Sequence, residues 1–68
     1  MFLVMYEEHG YDPEYIGIAQ TLYVAKWYIA NKVHIMDWKN FPLERKDKRT
    51  QFYSLGSSQY TILELPVL

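Results

Sequence analysis

The segment 22–33, LYVAKWYIANKV, predicts a helix with almost no polar side. One apolar stripe at helical spacing, suited to covering a sheet, comprises Leu22, Ala25, Ile29 and Val33. A second apolar stripe lies beside it and comprises Tyr23, Trp27 and Ala30. Because a short chain has few other elements, the second stripe needs either the following loop or another protein chain to cover it.

The chain has 68 residues, which is enough for one small domain spanning 1–68. Half of the residues are hydrophobic, and they include seven tyrosines, three phenylalanines and two tryptophans. Domains of this size bury only about 60% of the surface of the unfolded chain, so some rings should lie at the surface or in an interface. The chain has no cysteine to staple it, and small domains without disulfides or metals often self-associate. We therefore expect a reduced, cytoplasmic homodimer that uses no cofactor.

The hydrophobic pattern predicts two strands before the helix and two after it. Residues 2–7 are apolar on both alternating faces, which is typical of a central strand covered on both sides. Residues 15–19 follow a Gly10, Asp12, Pro13 turn and form a second strand, antiparallel to the first. Gly17 inside that strand indicates a bulge or the close approach of a ring or backbone. Residues 51–55 and 59–65 form a hairpin with Gly56 available for positive φ.

The predicted fold class is α+β, with one helix packed on a four-stranded, mostly antiparallel sheet in the order ββαββ. Thr21 is the expected N-cap of the helix. Residues 34–50 form an irregular charged and aromatic connection, part of which should fold back on the domain. No segment approaches the roughly 20 apolar residues of a membrane span, so we expect no membrane association.

The stretch FLVMYEEHGYDPEYIGIAQT, followed by a helix with an Ala-Lys pair, resembles short uncharacterised proteins of bacteria and their phages. In those proteins a strand ending in Tyr and acids leads through a Gly/Asp loop to an Ile-Gly-Ile strand and an N-capped helix. The matching positions are Tyr6, Glu7, Gly10, Asp12, Ile16, Gly17, Ile18, Thr21, Ala25 and Lys26. The chain departs from them at the helix start, where Leu22, Tyr23 and Val24 replace the usual acids. The resemblance implies a fold and a phage or prophage origin, and it carries no catalytic residue.

Charges are segregated along a chain whose net charge is −1. Four of the eight acids lie before residue 15 and form what we call the acidic tip: Glu7, Glu8, Asp12 and Glu14. Five of the seven bases lie between residues 39 and 49, namely Lys39, Arg45, Lys46, Lys48 and Arg49. The acidic tip, with Tyr11 and Tyr15 as anchors, is suited to a basic surface on a partner protein.

Catalytic and metal-binding patterns are weak. His9 is near the carboxylates of the acidic tip, but the spacing matches no metal-ligand motif, and we predict no metal site. His34 follows the helix and is expected to interact with its terminal carbonyls. The serines at 54, 57 and 58 fall in or beside a hairpin turn without a nucleophile motif. We therefore predict that the protein is not an enzyme.

These patterns favour a non-enzymatic protein-interaction module, encoded by a phage or prophage, that binds a host or viral protein. The predicted interface residues are Tyr23, Trp27, Ala30, Glu8, Tyr11, Asp12 and Glu14. The alternative is a single-stranded nucleic-acid binder that contacts phosphates with basic side chains and stacks rings on bases. Its residues would be Trp38, Lys39, Arg45, Lys46, Lys48 and Arg49.

Overall fold

The computed structural model describes residues 1–34 and 42–66. In this part of the chain, one helix packs on a five-stranded antiparallel sheet. The elements are β1 (Phe2–Glu8), β2 (Glu14–Ala19), α1 (Leu22–Val33), β3 (Glu44–Arg45), β4 (Thr50–Leu55) and β5 (Ser58–Glu64). The strand order across the sheet is β2-β1-β5-β4-β3. The predicted α+β class is confirmed, but the predicted count of four strands and the order ββαββ are wrong, because β3 adds a fifth strand.

Strand β3 lies within the connection that we predicted to be irregular. Glu44 pairs with Phe52, and Arg45 pairs with Gln51. Both β3 residues are charged and exposed, so no hydrophobic pattern marks this strand. Just before it, Leu43 packs against the hydrophobic core, so part of the connection does fold back on the domain.

Strand β1 occupies the second position of the sheet, between β2 and β5, as its apolar pattern predicted for an inner strand. Val4 lies opposite Gly17 on one side and Ile62 on the other. These positions face the helix. The buried core cluster there consists of Val4, Ala19, Ala25, Ile29, Ala30 and Ile62.

The helix has the bounds that the sequence predicted, and both of its ends are capped. At the start, the backbone N–H of Val24 donates to the Thr21 hydroxyl at 3.2 Å, which confirms the predicted N-cap. At the end, His34 adopts the left-handed conformation (φ 60°, ψ 42°), and its backbone N–H donates to the carbonyl of Ala30. His34 therefore reaches the terminal carbonyls through its backbone, as a non-glycine residue in a conformation that favours glycine.

Gly17 lies at a β-bulge and under an aromatic ring. Val4 pairs with Gly17, but the next residue of β1, Met5, pairs with Tyr15, which leaves Ile16 as the extra residue of β2. A Cβ placed on Gly17 would lie 3.6 Å from the ring of Tyr28. The sequence indicated either a bulge or the close approach of a ring at Gly17, and both are present.

The second face of the sheet carries apolar side chains without a covering element among the residues described. We call this the open sheet face, and its apolar members are Leu3, Met5, Ile18, Phe52 and Leu63. None of the five packs against the core cluster. We expected cover on both sides of β1, but within the described ranges α1 covers one side only.

The two glycines near the start of the chain should respond oppositely to alanine. Gly17→Ala should be neutral or stabilising by up to about 0.5 kcal/mol, because the new methyl group meets Tyr28 at ordinary contact distance. Gly10→Ala should destabilise by about 1 kcal/mol, because Gly10 has a φ of 88° even though its surroundings are open. Urea unfolding of both variants tests this contrast, and equal losses would contradict it.

His34→Gly should raise the free energy of unfolding by about 1 kcal/mol, since glycine adopts φ near 60° without steric cost. In a domain of this size that gain corresponds to a rise of several degrees in Tm. His34→Ala is the matched control, because alanine keeps the Cβ and should give no gain. Thermal unfolding followed by circular dichroism measures both, and an equal rise in the two variants would refute the left-handed strain.

Candidate interaction surfaces and a tyrosine-lined hollow

The first half of α1 is apolar on the side that points away from the sheet. Tyr23, Val24 and Trp27 are 59%, 41% and 46% exposed, and together we call them the helix surface. The Trp27 ring packs edge-on against Tyr28, with ring centroids 5.6 Å apart. This contact orients a large ring that remains half open to solvent.

Ala30, which the sequence placed in the same stripe as Tyr23 and Trp27, belongs to the core. It is only 2% exposed and packs with Ala25 and Ile29 against the sheet. It cannot contact a partner without unfolding of this packing, so we correct its assignment. Val24, which sequence reasoning left out, takes its place because it lies one residue from Tyr23 and three from Trp27.

The acidic tip spans the end of β1, the turn that follows it and the first residue of β2. The backbone N–H of Tyr11 donates to the carbonyl of Glu8 at 3.0 Å, and the N–H of His9 donates to the carbonyl of Ser57 at 3.3 Å. Glu7 and Glu8 are half-buried at the end of β1. The remaining side chains that the sequence assigned to this surface are exposed: Tyr11, Asp12, Glu14 and Tyr15. The structure therefore brings the predicted acids and tyrosines together at one end of the sheet.

Basic residues at the end of β3 and in the turn that follows it form what we call the basic turn: Arg45, Lys46, Lys48 and Arg49. All four side chains are exposed. The guanidinium of Arg45 donates to the carbonyls of Lys48 at 3.0 Å and of Asp47 at 3.3 Å, so it stabilises its own turn. The aromatic and basic neighbours predicted at Trp38 and Lys39 lie outside the described residues.

Asp47 organises the basic turn from within. Its carboxylate accepts the backbone N–H of Arg49 at 2.8 Å. This hydrogen bond, followed by one from the Thr50 side chain, lowers the pKa of Asp47 below its ordinary value of 3.8. A negative charge is thus held among four positive ones, which weakens the turn as an anion-binding surface.

The acidic tip and the basic turn lie at diagonally opposite corners of the sheet. The tip follows Glu8 at one end of β1, on the side of the sheet that ends in β2. The basic turn precedes Thr50, whose partner Leu63 pairs with Leu3 near the other end of β1. Because β3 and β4 form the far side of the sheet, the two charged turns are separated along both of its dimensions.

A hollow of about 430 Å³ lies between the sheet and the C-terminal part of the helix. Its lining residues are Tyr6, Glu14, Tyr15, Ile16, Lys32 and Tyr60. The rings of Tyr6 and Tyr60 pair across β1 and β5 with centroids 5.0 Å apart. The hydroxyl of Tyr6 is hydrogen bonded to that of Ser58 at 3.0 Å. Burial, and then the neighbouring Tyr6, raise the pKa of Tyr60 above its ordinary value of 10.0.

Sequence reasoning missed this hollow. The local signal was present, since Tyr6 and Tyr60 lie two residues from the core positions Val4 and Ile62 and therefore share their face of the sheet. The missing information was the pairing of β1 with β5, which joins residues more than fifty positions apart.

Metal-ligand groups, membrane-spanning helices and similarity to known proteins all bear on the class of a site. In the described ranges, no group of three or more His, Cys, Asp or Glu side chains is placed to hold a metal ion. No helix of that same part of the chain has the length and hydropathy required to cross a membrane. No protein-family model, curated protein or solved structure matches this chain.

Replacing Asp47 with Asn should lower stability at neutral pH, and this loss should shrink in acid. The sign follows from the lowered pKa: the charged carboxylate stabilises the fold above about pH 3.8, and this contribution is lost as the pH falls below that value. Asn keeps an oxygen acceptor for Arg49, so the comparison isolates the charge. Urea unfolding of the wild type and of Asp47→Asn at pH 7 and pH 2.5 measures the difference in stability. Lys48→Gln is the control, because it removes a neighbouring charge and leaves the Asp47 carboxylate in place. A difference that is as large at pH 2.5 as at pH 7 would contradict this account.

Proposed function

We propose that this chain is a non-enzymatic protein-interaction module, encoded by a phage or prophage, that binds a host or viral protein. The observation that carries the proposal is the exposure of Tyr23, Val24 and Trp27 on consecutive turns of one helix. The phage or prophage origin is supported by the resemblance of residues 2–21 to short proteins of bacteria and their phages.

The distribution of side-chain sizes around α1 supports an interface. Its buried side carries small residues, Ala25 and Ala30, beside Ile29, while two large aromatic residues point outward. Burying a ring of this size removes roughly 150–250 Å² from water, so a partner that covers Tyr23 and Trp27 would gain a large apolar contact. Tyr and Trp are also the residues that contribute most to binding at protein interfaces.

The acidic tip supplies a second, electrostatic part of the proposed binding surface. Tyr11 and Tyr15 are both exposed there, next to Asp12 and Glu14. Negative charges on an exposed turn accelerate association with a basic surface, and contacts made by the adjacent rings slow dissociation.

Nucleic-acid binding by the basic turn has less support. Arg45 is engaged by the carbonyls of its own turn, and Asp47 retains its negative charge between Lys46 and Lys48. Phosphate binding depends on the net positive charge that a surface presents, and both features reduce it.

A photo-cross-linking amino acid at position 24 tests the helix surface in bacterial cells that contain the partner. We expect a protein adduct of defined mass, reduced about tenfold or more when Trp27→Glu is added, since interface aromatic anchors contribute about 2 kcal/mol or more. The matched control is the same cross-linker at Leu55, which is 52% exposed on another part of the molecule.

Three outcomes would contradict the proposal. Equal adducts from positions 24 and 55 would indicate non-specific contact. Adducts to nucleic acid in place of protein would favour the alternative function. Unfolding of Trp27→Glu, detected by circular dichroism, would show that Trp27 supports the fold.

A further inference from the structure

The open sheet face is a continuous apolar surface across four strands. Along one row, Ile18 pairs with Leu3, and Leu3 pairs with Leu63. In the next row Met5 pairs with Thr61, and Thr61 pairs with Phe52. The hydroxyl of Thr61 receives a hydrogen bond from Gln59 at 3.3 Å, and Thr61 is buried by these neighbours even on this face. Ile18 is 53% exposed on this face, and Leu3, Met5, Phe52 and Leu63 are half-buried, so part of each row remains open to a partner.

The charges at the rim of this face are arranged to select an occupant. The acidic tip and the basic turn are about 25 Å apart, taking ~3.4 Å per residue along a strand and ~4.8 Å between strands. This separation is about three Debye lengths at physiological salt, so the two turns of one copy scarcely attract each other. Each therefore remains available to a surface of opposite charge on another molecule, since the exposed Lys46, Lys48 and Arg49 outnumber Asp47 in the basic turn.

We propose that the open sheet face binds the same face of a second copy, with the acidic tip of each copy on the basic turn of the other. This inference rests on the proposed function in one respect, since it keeps the acidic tip as a binding surface but makes a second copy its basic partner in place of the host or viral protein. It assigns the helix surface to a different protein, because α1 lies on the other side of the sheet.

The positions of the charged corners determine how the two sheets cross. A twofold axis parallel or perpendicular to the strands leaves the acidic tip of one copy away from the basic turn of the other. An axis along the opposite diagonal of the sheet superposes them, and the strands of the two copies then cross steeply. This is the orthogonal class of sheet packing. The same axis passes close to Ile18 and Phe52, so each of these side chains meets its own copy across the interface, as isologous contacts require.

A charge-swap experiment tests the paired corners. One variant carries Glu8→Lys and Asp12→Lys, and the other carries Lys46→Glu, Lys48→Glu and Arg49→Glu. Arg45 is left unchanged because it stabilises its own turn. In sedimentation velocity we expect a dimeric wild type, about tenfold or greater weakening in each variant alone, and recovered dimers when the two variants are mixed. Mixing restores both contacts, because each tip then meets a turn of opposite charge.

A disulfide experiment tests the face itself, since the chain has no cysteine of its own. Ile18→Cys should form a covalent dimer rapidly under mild oxidation. Leu55→Cys is the control, because Leu55 and Ile18 are 52% and 53% exposed, and Leu55 lies at the hairpin end of β4 on the other face. Equal cross-linking at the two positions would overturn the proposal, as would a monomeric wild type or a mixture of charge variants that stays monomeric.

The outcome is separable from that of the proposed function. Trp27→Glu should leave the dimer intact, because the helix surface is not part of this contact. If Trp27→Glu abolishes the dimer while both charge variants retain it, the second copy occupies the helix surface and the present inference is wrong. Cross-linking from position 24 to a different protein reports on the proposed function whichever result is obtained.

Discussion

The close packing of α1 on β1 and β2 through small side chains is the contact on which the rest of the structure depends. Gly17 allows the Tyr28 ring to lie against β2, and alanines from both elements fill the space around Val4. Apart from the Tyr28 ring over Gly17, this gap is filled by small and aliphatic side chains. The only sizeable side chains that are fully buried are Val4, Ile29 and Ile62 among the residues described, so the many aromatic residues are displaced to the margins and the surface. The apolar surfaces of this protein are therefore a consequence of how its core is built.

Local signals in the sequence predicted most of the fold. The Thr21 cap predicted the start of α1, and helical periodicity predicted its end at Val33. Gly17 and Gly56 predicted the bulge and the hairpin turn. Strand β3 could not be predicted, because Glu44 and Arg45 bury no side chain and their place in the sheet depends on backbone pairing with β4. The order of the strands also depends on long-range pairing, which periodicity does not report.

The same distinction separates the parts of the candidate surfaces that were predictable from those that were not. The exposed aromatic residues on α1 and the two charged turns are each local in sequence, and reasoning from residues found them. Ala30 was assigned to the wrong side of the helix because it lies at the boundary between the two apolar stripes. The position of the sheet decides whether a small residue at that boundary is buried or exposed, and the sequence does not give that position. The Tyr6–Tyr60 pair and the diagonal placement of the charged turns required the sheet order, so no local pattern could reveal them.

The two edge strands, β2 and β3, are poorly suited to pairing with strands of further molecules. Strand β2 is interrupted by the bulge at Ile16 and Gly17, and β3 consists of two charged residues followed by a turn that folds on itself. Neither edge offers the long, flat row of free backbone groups on which further strands add indefinitely. A sheet with such ends disfavours growth into fibres by strand addition, even though several aromatic rings among the described residues are exposed.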